Sequence, residues 1–63
     1  MKNKKMLELR IKKGLSQSEV AKQAGISTRQ YQRVEAGEHL PNVGPAIKIA
    51  KILGTTVEKL FPI

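Results

Sequence analysis

The sequence has no cysteine and no tryptophan, one tyrosine, one phenylalanine and five acidic residues. Without cysteine, no disulfide framework and no thiolate metal site can form, and nothing points to an oxidising compartment. His39 stands alone as a histidine, and because a zinc site takes three or four ligands it reads as an ordinary loop residue. So few aromatic rings provide no interleaved platform on which single-stranded bases stack. Long apolar runs are missing too. Lysines interrupt "AIKIAKIL", so no segment reads as membrane-spanning, and "MKNKK" leads into a helix pattern rather than an apolar signal core. These absences suit a cytoplasmic protein. Carboxylates are sparse, and there is neither a Ser, His and Asp set nor a phosphate-cradling glycine loop. The sequence therefore does not support an enzyme, and no cofactor, metal or small-molecule ligand is expected.

Basic residues are abundant. Twelve Lys and Arg give a net charge of +7 on 63 residues and a pI near 10.2. That imbalance sets up a field attracting polyanions, and with base-stacking platforms lacking, duplex phosphate is the first expectation. The length predicts a single domain over residues 1–63, which buries only about 60% of the surface its unfolded chain exposes. Lys2, Lys4 and Lys5 make the start polybasic, and residues 1–4 read either as an arm that follows DNA or as a frayed terminus.

Glycines and prolines punctuate the chain into five short helices with no alternating strand pattern, which predicts an all-α fold. The first helix runs from about Lys4 to Lys13, with Met6, Leu9 and Leu7 inward and Gly14 closing it. Ser16 and Glu19 form a capping box, so the second helix begins at Gln17; Val20, Ala21 and Ala24 face inward and Gly25 ends it. Ser27 caps a third helix extending through Ala36 to a stop at Gly37. Asn42 is the N-cap of a fourth, from Val43 to about Leu53, with Ala46, Ile49, Ala50 and Leu53 inward and Pro45 tolerated in its first turn. Thr56 opens a last turn whose Leu60 and Phe61 cover the end of the core.

The third helix carries the chemistry. At about 100° per residue, Thr28, Arg29, Gln32 and Arg33 share one arc, opposite Tyr31 and Val34. Arg can donate twice to guanine, Gln can pair both ways with adenine, and a Thr methyl can meet that of thymine. Tyr31 is expected in the core with its hydroxyl at the surface. Two helices joined by a turn of about three or four residues, around 17–36, meet steeply enough for one to cross a DNA backbone while the next enters the major groove. Gln17, at the positively polarised start of the second helix, is placed to bind phosphate through its amide and the adjacent backbone N–H groups, including that of Ser18.

An ordered set of features resembles the helix-turn-helix domain of lambdoid phage repressors and Cro proteins, the Xre family. They are "LR" at Leu9 and Arg10, "GLSQ" at 14 to 17, Ala21, Gly25, "VEAG" at 34 to 37, Pro41, "IAKILG" at 49 to 54 and "LF" at 60 and 61. The resemblance implies a compact five-helix domain. It also implies base or groove contacts from Thr28, Arg29, Gln32 and Arg33, a phosphate contact from Gln17, and a structural ion pair between Arg10 and Glu35. Glu38 and His39 stand where members often carry Lys or Arg after the third helix, so the phosphate contact of that loop passes to backbone N–H groups or to Asn42. Ile47, Ile52, Val57 and Ile63 are candidates for a dimer surface. The expected function is transcription regulation: a sequence-specific repressor that binds a palindromic operator on double-stranded DNA as a homodimer. The alternative is an antitoxin-type module that binds a partner protein and autoregulates.

Overall fold

A computed structural model of the chain describes residues 3–61. Among the described residues all regular structure is helical: α1 (Lys4–Lys12), α2 (Gln17–Ala24), α3 (Thr28–Glu35), α4 (Val43–Leu53) and α5 (Val57–Leu60). The expected five helices are present. Their ends differ by a residue at α1 and α3, where Lys13 and Ala36 are C-caps with nearly helical backbone. Helix termini fray between assignments on this scale.

Four of the five starts, those of α1, α2, α3 and α5, are set by a side chain that accepts one of the amides a helix cannot satisfy internally. Asn3 caps α1, accepting from the Met6 amide at 3.1 Å. Ser16 and Glu19 close the expected capping box on α2. Ser27 and Gln30 form a second box on α3, in which the Gln30 amide donates to Ser27 Oγ at 3.1 Å and Ser27 N–H donates to Gln30 Oε1 at 3.0 Å. Asn42 occupies the N-cap position of α4, but its side chain makes no capping hydrogen bond.

Asn3 also ties the chain start to the rest of the fold. Its side-chain amide donates to Leu60 O at 2.8 Å and its backbone N–H to Glu35 O at 2.8 Å. A loose arm over residues 1–4 therefore does not extend to Asn3 and Lys4; residues 1 and 2 lie outside the described residues.

The core is built from Met6, Val20, Ala21, Ala24, Tyr31, Val34, Ile49, Ala50, Leu53 and Leu60. Helix α2 packs against both α3 and α4, and its buried Ala21 and Ala24 let those neighbours approach closely. The join between α2 and α3 is made by Gly25 at φ +75°, with Ile26 N–H returning to Ala21 O at 3.0 Å. This left-handed closure costs a residue with a Cβ roughly 1–2 kcal/mol, which glycine avoids. It lets α3 leave α2 at an angle while Tyr31 and Val34 stay in the core. Burying a side chain the size of Ile49, Leu53 or Met6 contributes about 1.5–3 kcal/mol.

Candidate nucleic-acid interface

Helix α3 is buried along its back and largely exposed along its front. Tyr31, Val34 and Glu35 are buried, whereas Arg29, Gln32 and Arg33 are exposed and Thr28 is half-buried. The arc expected to carry base contacts thus lies outside the fold. Arg29, Gln32 and Arg33 border a hollow open to solvent, with Ala36 and Glu38 at its edge.

The buried side of α3 is held by charge as well as by packing. Arg10 donates from Nε to Glu35 Oε2 at 3.0 Å and from Nη2 to Oε1 at 3.1 Å, and its Nη1 donates to Leu15 O at 2.9 Å. With side chains only 14% and 8% exposed, this is a desolvated two-point ion pair that fixes α3 against α1. Burial is the largest influence on the Glu35 carboxyl and pushes it up, but the Arg10 hydrogen bonds and charge, together with the nearby Tyr31 and Gln17, outweigh it and hold the group below the usual carboxylate value. Arg10 is in turn raised by its hydrogen bonds to Glu35.

Tyr31 departs from expectation. The residue is 0% exposed, and its hydroxyl is buried without a hydrogen-bond partner instead of reaching the surface. A helical wheel assigns a face but not a depth, and here the whole ring lies between the helices. Burial raises its pKa above the ordinary phenol value.

Two further links join α2 to the outward side of α3. Gln32 Nε2 donates to Gln17 Oε1 at 3.2 Å, and the hydroxyls of Ser18 and Thr28 share a hydrogen bond at 3.3 Å. Gln17 also donates to Glu35 Oε1 at 3.4 Å. The sequence offered no signal for these contacts, since spacings of 15 and 10 residues correspond to no helical or strand repeat. The second capping box was visible as Ser27 followed three residues later by Gln30. Gln17 and Ser18 occupy the first turn of α2, where backbone N–H groups have no helical acceptor and can meet an anion. Asn42 is exposed at the start of α4 with its amide free of capping duty.

This arrangement is a positively charged, outward-facing helix mounted on a second helix by a tight glycine turn. A helix-turn-helix family model matches residues 6–60. The chain belongs to the helix-turn-helix family, of the lambdoid repressor and Cro type. It is 36% identical over 61 residues to an HTH-type transcriptional regulator of Methanocaldococcus jannaschii, covering 97% of this chain and 91% of the relative. A relative of the same description from Archaeoglobus fulgidus is 35% identical over 54 residues, covering 86% of this chain and 77% of its own. A third, from Bacillus subtilis, is 33% identical over 61 residues, covering 97% and 91%. No solved structure gives a significant match.

In this helix-turn-helix protein the dimer candidates among the described residues, Ile47, Ile52 and Val57, do not all line one hollow. Ile47 and Val57 line an apolar hollow of about 240 Å³ together with Leu40, Pro41, Val43, Ala46 and Phe61. Ile52 is half-buried against the core and is not part of that hollow, and Ile63 lies outside the described residues. The most exposed apolar side chains around it, Leu40 at 71% and Val43 at 77%, were not among the candidates, because one sits in a loop and the other opens a helix. Among the described residues, no helix is long and apolar enough to cross a membrane.

Proposed function

We propose that this protein is a sequence-specific DNA-binding transcriptional regulator, acting as a repressor that occupies a palindromic operator as a homodimer. The observation that carries this reading is the division of α3: Tyr31, Val34 and Glu35 are buried while Arg29, Gln32 and Arg33 project outward. Thr28, Arg29, Gln32 and Arg33 read base edges in the major groove. Gln17, Ser18 and Asn42 take the phosphates on either side and set the register. The net charge of +7 draws the domain to the duplex. Its described residues span only about 26 Å at the widest, so one copy covers one half-site. Two copies related by a two-fold axis then place their α3 helices in successive major grooves, about 34–36 Å apart.

In this reading the exposed apolar side chains around the hollow at Leu40, Val43 and Ile47 form the face through which two copies pair about a two-fold axis. Selection of bound duplexes from a random pool tests the reading directly. An inverted repeat with half-sites about one helical turn apart is expected, and enrichment of no common sequence would overturn it. Val43→Lys is expected to shift the protein towards monomer in sedimentation without loss of helicity. An unchanged dimer population would remove the hollow from the interface.

A further inference from the structure

The outward side of α3 ends on an acidic residue. Of the five carboxylates in the chain, Glu35 is held in the ion pair with Arg10 and Glu19 closes the capping box of α2, whereas Glu38 borders the same open hollow as Arg29, Gln32 and Arg33. The ending of the helix puts it there. Gly37 turns left-handed at φ +79°, its N–H returns to Val34 O at 3.1 Å, and the Glu38 N–H returns to Arg33 O at 3.0 Å. Residues at the two ends of that last bond commonly meet through an apolar contact; here Arg33 and Glu38 carry opposite charges. Among the described residues the one ion pair joins Arg10 to Glu35. The Glu38 carboxylate and the guanidinium groups of Arg29 and Arg33 therefore share the hollow exposed and uncommitted.

We infer that Glu38 is a specificity-determining residue that accepts a hydrogen bond from the N4 amino group of a cytosine, completing the reading of a G·C pair whose guanine meets Arg33. The inference rests on the DNA-reading role proposed for α3. A carboxylate is a poor phosphate contact, because like charges set against each other are penalised and an ionised carboxylate only accepts hydrogen bonds. The partner it requires is a donor on a base edge, and the major groove offers two, adenine N6–H and cytosine N4–H. The order of groups along each pair chooses between them. Across G·C the edge runs N7 acceptor, O6 acceptor, N4–H donor, whereas across A·T it runs acceptor, donor, acceptor. A guanidinium that donates twice beside a carboxylate that accepts matches the first order and not the second. Glu38 thereby gives an acidic side chain a use on the outward face of a domain whose net charge is +7.

The test begins with selection of bound duplexes from a random pool by wild type and Glu38→Ala. Glu38 is exposed and the helix ending uses backbone atoms alone, so this variant keeps the fold. Wild type is expected to favour one G·C pair in each half-site by roughly 5- to 100-fold. Glu38→Ala should lower that preference at least threefold while the other positions keep theirs. Tighter binding of all duplexes alike by Glu38→Ala, with the consensus unchanged, would show that the carboxylate merely repels DNA and would overturn the inference. A wild type that binds with no base preference anywhere would instead overturn the underlying reading of α3. A cycle on the selected duplex isolates the amino group: replacing the cytosine by a pyrimidinone analogue without the N4 amino group should weaken wild type at least threefold more than it weakens Glu38→Ala. Equal weakening of the two proteins would overturn the contact.

Discussion

Replacing Arg10 by Met would remove the charge that compensates Glu35 while keeping most of the side chain's length. The Glu35 carboxylate, 8% exposed, would then retain only the 3.4 Å hydrogen bond from Gln17. Leu15 O would lose its 2.9 Å donor as well. Stranding one member of a buried pair costs about 3–5 kcal/mol. Arg10 keeps 14% exposure, and the buried Tyr31 hydroxyl, which has no partner, can turn towards the orphaned carboxylate; both considerations favour the lower end, about 3 kcal/mol. At about 0.05–0.15 kcal/mol per residue the whole domain has roughly 3–9 kcal/mol to lose. Its Tm should therefore fall by about 12–24 °C. Urea denaturation followed by circular dichroism measures the loss, and the double variant Arg10→Met with Glu35→Leu should recover part of it, because two apolar groups leave no bare charge. A loss below about 1 kcal/mol in the single variant, at unchanged m value, or a double variant less stable than the single one, would refute the argument.

Other perturbations test separate links. Arg29→Ala is expected to weaken operator binding by about 1–3 kcal/mol and to relax preference at one base position; an unchanged preference in a randomised-site assay would remove Arg29 from base reading. The lowered Glu35 carboxyl contributes stability that is complete above the unfolded value, about pH 4.3, and is lost as pH falls through the folded value. Acid denaturation of wild type should therefore steepen below about pH 4.3, whereas Glu35→Gln should flatten that limb. Gly25→Ala forces a Cβ into φ +75° with its nearest neighbour, Lys48 Nζ, 3.9 Å away, so backbone strain of about 1–2 kcal/mol is the expected cost. Gly44→Ala lies inside α4 with nothing within 4 Å of the added Cβ and should stabilise by about 0.4–1 kcal/mol. Thermal melts that show the two glycine variants moving in the same direction would contradict this account.

What could be read from the sequence was local. Ser16 and Glu19, Ser27, Gly25 and Gly54 marked helix ends because caps and left-handed closures depend on residues within one turn of each other. The spacing of Val20, Ala21 and Ala24, and of Ala46, Ile49, Ala50 and Leu53, identified the faces that are buried, since a period of about 3.6 residues belongs to a single helix. The outward arc of Arg29, Gln32 and Arg33 followed from the same geometry.

Where helices meet was decided by tertiary structure. The depth of the Tyr31 hydroxyl, the link from Glu35 through Gln17 to Gln32, and the bond between Ser18 and Thr28 depend on how α1, α2 and α3 cross. The same holds for the hollow that gathers Leu40, Val43, Ile47 and Val57 but excludes Ile52. Crossing angle and separation are set by the summed packing of all the helices. No interval along the chain encodes them, so the sequence showed which residues this protein turns outward, and only the assembled fold showed which of them hold one another in place.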